Sequence, residues 1–201
     1  MPIDDRVAPP HMKGRHPLRA FITTLAATAM LACVAGCDQP EESASLVWAG
    51  AGHDTSGFGV GIPIPKADQP VSVGSIVLCR TGNGPDPTIT NVAFVEDGNS
   101  VKVPEFASRT RSQGEMMLGS VLGGLKEAGF SDPSNSVTTA CGGEGGSVTE
   151  LGITAQSSAR AKAIAKTLRV TYTSGTRSAA TDIPLSLVLC VSKASTEPCR
   201  P

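Results

Sequence analysis

The sequence predicts a mainly β domain, an antiparallel β-sandwich of about seven strands with one short inserted helix. Three observations predict it. Short segments of apolar alternation recur between residues 71 and 191, each bounded by Gly, Pro, Asn or Asp. Strands do not alternate with long helices, which disfavours a parallel α/β sheet. The 22 glycines and 15 prolines among 201 residues make the chain turn-rich without making it low-complexity.

Composition also narrows the function. Seventeen basic residues against 18 acidic ones leave a net charge of −1, so nothing electrostatic points to nucleic acid. Five Phe, one Trp and one Tyr are too few for base-stacking platforms or aromatic cages.

The first element is a leader, residues 1–36. Lys13, Arg15 and Arg19 form a basic region, and residues 21–34 are mostly apolar. That run is short for a membrane span and has the length of a signal-peptide core. It ends in Val34, Ala35, Gly36 and Cys37, which resembles the bacterial lipobox. There the small residues admit the signal peptidase, cleavage falls between Gly36 and Cys37, and the Cys37 thiol takes a diacylglyceryl group. A short buried helix, or a secretory signal cut elsewhere, would explain the apolar run but not the box in register behind a basic flank. Cys33 falls in the removed segment. Asp4 and Asp5 suit a leader poorly, so Met12 is an alternative start to Met1. The chain from Cys37 would carry 13 basic and 16 acidic residues, a net charge of −3. Two acyl chains suffice for stable anchoring, at about 0.8 kcal/mol per buried methylene.

Residues 37–70 read as the lipidated N-terminus and a flexible linker. Asp38, Glu41 and Glu42 follow the lipid, prolines punctuate the stretch, and no periodicity is sustained. Such a tether reaches roughly 30 Å. Trp48 reads as a loosely packed linker residue or a membrane-surface anchor, and residues 57–62 as a possible edge strand.

Residues 71–201 read as the disulfide-bonded domain. Strands are expected at 71–78, 88–95, 101–103, 151–154, 168–172 and 183–191. Leu168, Val170 and Tyr172 should share one face, opposite Arg169 and Thr171. Asp97, Gly98 and Asn99 read as a hairpin-type turn, and Ser174 and Gly175 as another. Pro184 must lie near a strand start or at an edge, because it has no N–H to donate. The helix is expected between Glu115 and Gly129, from Met116, Met117, Val121, Leu122, Leu125 and Ala128 at close to a 3.6 period. Gly129 is its natural C-terminal stop. Residues 159–165 read as a loop or short helix.

Cys79, Cys141, Cys190 and Cys199 remain after Cys37. In an exported chain they suggest two disulfides with three possible pairings. First and last strands of sandwiches often lie side by side, which favours Cys79–Cys190 with Cys141–Cys199. Cys141–Cys190 with Cys79–Cys199 is the main rival. A metal site finds little support: no Cys-x-x-Cys occurs, and His53, in the linker, is the one histidine after the leader. No cofactor is expected.

Catalytic motifs are missing. There is no Gly-x-Ser-x-Gly, Ser-x-x-Lys or His-Glu-x-x-His. A catalytic triad would have to borrow His53 from the tether. Residues 142–146 resemble a phosphate loop in composition only. Glu96 with Asp97, and Glu144 with Glu150, are the carboxylate pairs a glycosidase could use, but no substrate-binding aromatics accompany them. Arg109, Arg111, Arg160, Lys162, Lys166 and Arg169 read first as a solvated face, with anionic headgroups or wall polymers as the alternative.

Residues 75–79, 88–92, 101–106, 128–130, 168–175 and 183–190, with Cys141 between, resemble in outline an actinobacterial lipoprotein family without an established activity. The resemblance spans roughly 71–191. It implies an immunoglobulin-like or cupredoxin-like sandwich in the cell envelope and carries over no catalytic residue. The function expected is a non-catalytic, monomeric binding or interaction module on the outer face of the cytoplasmic membrane. The lipid on Cys37 would hold it there, and an envelope protein or wall polymer would be its partner. Binding residues are expected on loops at 82–87, 108–113 and 142–147. The alternatives are a wall-polymer hydrolase or its accessory, and a purely structural lipoprotein.

Overall fold

The computed structural model describes residues 42–49, 58–95, 100–112, 114–131, 134–143, 146–192 and 199–200. Eleven strands run through them: β1 (Ser45–Trp48), β2 (Phe58–Ile64), β3 (Val71–Thr81), β4 (Thr88–Phe94), β5 (Val101–Ser112), β6 (Ser120–Leu122), β7 (Ser147–Ser157), β8 (Lys162–Ala165), β9 (Leu168–Ser174), β10 (Arg177–Ile183) and β11 (Leu185–Val191). The protein is mainly β, and no helix occurs among the described residues.

The strands form three sheets. The first has the order β1-β3-β7-β5, with β6 also paired to β3. The second is β10-β9-β4 and the third β2-β11-β8. Every pairing is antiparallel except β2 with β11. All three sheets bury side chains in one cluster, including Ile76 and Ile153 from the first, Ile89 and Val170 from the second, and Ile62 and Leu187 from the third. Each such side chain contributes roughly 1.5–3 kcal/mol by leaving water. Alternation works as the sequence predicts on β9: Leu168, Val170 and Tyr172 are buried, and Arg169 is exposed.

The stretch expected as a linker belongs partly to the sheets. β1 pairs with the end of β3, β2 pairs with β11, and Ala44, Leu46, Ile62 and Ile64 are buried. Trp48 packs against the core, its ring 6.1 Å from that of Phe58. The edge strand read at 57–62 is β2, at an edge of the third sheet with Pro63 near its end, whereas β1 was not expected. The folded part therefore starts before residue 71.

The inserted helix does not form. Met116 is 88 % exposed, and Val121 and Leu122 are exposed as well, so the 3.6-period face is not a buried face. The chain instead runs extended beside β3 and makes β6 against Val71–Val73. Gly123, at φ 118°, leaves helical space, and its N–H goes to the Pro70 carbonyl. What survives is one turn. The Phe130 N–H reaches the Leu125 carbonyl, the Gly129 N–H reaches that of Lys126, and Gly129 has φ 84°. That is a Schellman closure at the glycine the sequence marks as a stop, with a single turn before it.

Three further differences follow from strand order. β4 and β5 belong to different sheets, so the chain between them makes no hairpin, and Asp97, Gly98 and Asn99 lie outside the described residues. The expected last strand, 183–191, is β11 from Leu185 onward; Ile183 instead ends β10, which was not expected, and Pro184 sits where the chain passes from the second sheet to the third. The expected loop or short helix at 159–165 supplies β8.

The disulfides are Cys79–Cys141 and Cys190–Cys199, neither the favoured pairing nor its rival. The premise of adjacent first and last strands fails. β3 is flanked by β1, β6 and β7, while β11 is flanked by β2 and β8, so Cys79 and Cys190 sit in different sheets.

Candidate functional site

Glu150 is the charged residue buried most completely. It lies on β7 directly across from Arg109 on β5, and its side chain is 0 % exposed. Its Oε2 accepts from Arg109 Nε at 2.9 Å and Arg111 Nε at 3.3 Å, with Arg109 Nη2 at 2.8 Å. Its Oε1 accepts the N–H groups of Leu118 at 2.6 Å and Ser75 at 3.3 Å. Both oxygens are thus occupied by donors, which is what a buried charge requires. The arginines reach further: Arg109 Nη1 donates to the Gly129 carbonyl, Arg111 Nη2 to that of Met116, and Arg109 lies 3.9 Å over the Phe130 ring. Gly74 leaves room for this approach, since a Cβ there would stand 2.6 Å from Leu118 Cβ and 2.8 Å from Glu150 Oε1. The cluster fastens residues 114–130 over the outer face of the first sheet, where Ala107, Leu118, Leu125 and Phe130 form a second small core. It is a clamp, with no oxygen left for an incoming group.

The more open geometry lies at the end of the first sheet. Beyond the Leu78–Thr149 pair, residues 139–141 run beside β3: the Arg80 N–H reaches the Thr139 carbonyl at 2.8 Å, and the Cys141 N–H reaches that of Arg80 at 2.9 Å. Cys79–Cys141 locks this pairing. Gly142 and Gly143 follow, and Gly146 leads into β7. A cleft of about 400 Å³ opens here, lined by the disulfide, Ala49, Val77, Thr139, Gly142, Gly143, Ser147 and Val148. The hydroxyls of Thr139 and Thr149 are hydrogen-bonded together beside it. Arg80 ties in the next loop, donating to the Gly82 carbonyl and pairing with Asp86 at 2.8 Å.

Residues 82–87, Ser112, Gly142, Gly143, Gly146 and Ser147 fall at this end, because Ser112 faces Ser147 and β3 ends at Thr81. Residues 108–112 are strand and not loop; Arg109 and Arg111 point into the clamp. Gly36, Cys37, His53, Glu96, Asp97 and Glu144 lie outside the described residues. Sequence reasoning missed the Glu150 clamp, which no local signal marks, because Glu150 shares its alternate positions along β7 with Gly152, Thr154 and Gln156. Among the described residues no three His, Cys, Asp or Glu side chains gather as a metal site.

No family model, no curated protein and no solved structure matches the chain.

Proposed function

We propose that the chain is a lipid-anchored protein of the bacterial cell envelope that acts as a non-catalytic, monomeric binding module. Its domain is read as a β-sandwich of the immunoglobulin-like kind, tethered by a diacylglyceryl group on Cys37 to the outer face of the cytoplasmic membrane. The observation that carries this is the leader ending in the lipobox at Val34–Cys37. The pairing of all four later cysteines in disulfides supports it, since such bonds persist in oxidising compartments. Saturation of Glu150 by five donor contacts speaks against the carboxylate-pair hydrolase.

The binding surface assigned is the cleft beside Cys79–Cys141. A backbone-lined wall with small side chains suits an extended chain, peptide or glycan, that reads carbonyl and N–H groups. A photo-crosslinking side chain at Gly143, in the intact cell, should join one envelope component. Ser147→Trp, which fills the mouth, should abolish that adduct while the same probe at Ser178 on β10 gives none. Equal labelling from Gly143 and Ser178, or an adduct indifferent to Ser147→Trp, contradicts the assignment.

A further inference from the structure

The cations of the described residues sort by their partners. Arg80 pairs with Asp86, Arg109 and Arg111 with Glu150, and Arg169 with Asp182. Lys66, Arg160 and Lys162 form no ion pair among the described residues, and neither do Lys102, Lys126, Lys166, Arg177 and Arg200; the first three come together at one end of the third sheet, where Lys162 Nζ donates to the Arg200 carbonyl. That end is where β2, β11 and β8 come level: Ile64 faces Val191, and the Val191 N–H reaches the Ala161 carbonyl. A cavity of about 320 Å³ lies there, lined by Pro65, Lys66, Ala67, Arg160 and Val191. Among the described residues its two charged walls are cationic and the others are Pro65, Ala67 and Val191. Asp68, two residues beyond Lys66, pairs with neither cation.

The adjoining edge strand continues the pattern. Lys162, Ile164 and Lys166 are exposed and alternate with buried Ala163 and Ala165, and Ile164 is 44 % exposed. Lysines on an edge strand by themselves only deter edge-to-edge pairing. That role does not require Lys66, which arrives from the end of a different strand and faces Arg160 across a cavity.

We propose that this end of the third sheet docks on an anionic bilayer, with a lipid-headgroup phosphate in the cavity between Lys66 and Arg160. Cations at a membrane surface meet phosphate oxygens, and an exposed aliphatic side chain between two lysines suits the headgroup–acyl boundary. The net charge of −3 on the chain from Cys37 would keep the rest of the domain off such a surface, so the cationic end sets its orientation. The proposal rests on the envelope-lipoprotein reading only in that a bilayer is at hand.

The test uses the protein as purified from membranes, held in zwitterionic micelles and followed by amide NMR, so it does not depend on what Cys37 carries. Soluble glycerophosphoglycerol should shift the amides of Ala67, Ala161 and Val191 saturably and leave Gly143 in place. Lys66→Gln with Arg160→Gln should weaken this about 30-fold, at roughly fivefold per cation removed. In lipid nanodiscs the same amides should broaden when phosphatidylglycerol replaces phosphatidylcholine, and the effect should fade at high salt. No shift at millimolar headgroup overturns the site. Shifts with the soluble headgroup, but none between the two nanodiscs, overturn the bilayer as partner in favour of a soluble phosphate or wall polymer. A mass showing Cys37 unmodified would instead fail the anchor and leave this result standing.

Discussion

Glu150 shows how a single residue organises a face of the molecule. Burying a carboxylate costs several kcal/mol unless donors replace water, and here two arginines and two backbone N–H groups do so. Glu150→Gln keeps the shape and removes the charge, leaving Arg109 without its counter-ion and Arg111 with Glu115 alone, at 3.6 Å. The loss should be about 3–5 kcal/mol in a urea unfolding experiment. Hydrogen exchange should show residues 114–130 opening before the sheets do. Gly152→Ala should act on the same face, because its Cβ would stand 2.5 Å from the Phe130 ring. Neither residue was legible as important. Glu150 looks like a solvated acid until β5 is laid beside β7, and its worth comes from a cross-strand register that no local pattern encodes.

At the scale of elements, legibility followed alternation. β9 was read correctly to the face, because Leu168, Val170 and Tyr172 answer to a period of two. β10 was missed because Arg177, Ser178, Ala179 and Ala180 are all exposed and carry no apolar signal. The helix was misread because a 3.6 spacing of Met, Val and Leu says nothing about which tertiary partner claims the backbone, and β3 claimed it. β9 and β10 are joined across their exposed faces by Arg169 and Asp182, which bond twice at 2.7 Å. The hydrogen bond from Arg169 holds the Asp182 carboxyl below its ordinary range, against the opposing effect of desolvation and with the help of the arginine's charge. A depressed acid stabilises the fold above its unfolded-state value and stops doing so as pH falls through its folded one. Asp182→Asn should therefore melt slightly below the parent at neutral pH, with the gap closing in acid; a gap that widens in acid contradicts this. The disulfides should differ in the same graded way. Cys79–Cys141 spans 62 residues and Cys190–Cys199 spans 9. Loop-closure entropy gives about 4 and about 2.5 kcal/mol respectively, so Cys79→Ser with Cys141→Ser should lower the melting temperature more than Cys190→Ser with Cys199→Ser.

The whole molecule joins three small sheets through one shared core. Their buried faces meet in that core, and the chain passes between sheets at Pro184 and between β4 and β5. Its β character and its turns were legible from composition and alternation, whereas its sheet partition was not, because strand partners are chosen by packing between distant segments. The second disulfide fits this arrangement: Cys199 lies over Gly61 of β2, where any side chain would collide with its carbonyl, and so holds the C-terminus across the third sheet. The candidate cleft was legible only as a glycine-rich loop beside Cys141. Its walls come from β3, the start of β7, residues 139–143 and Ala49 just past β1, brought together by pairings the sequence does not spell out. The central claim is that this disulfide-stapled β domain is anchored in the envelope through Cys37. The intact mass of the protein purified from membranes, before and after reduction, tests it most directly. The expected mass is that of a chain from Cys37 to Pro201 carrying a diacylglyceryl group and gaining four hydrogens on reduction. A chain that keeps residues 1–36, an unmodified Cys37, or a mass unchanged by reductant would contradict it.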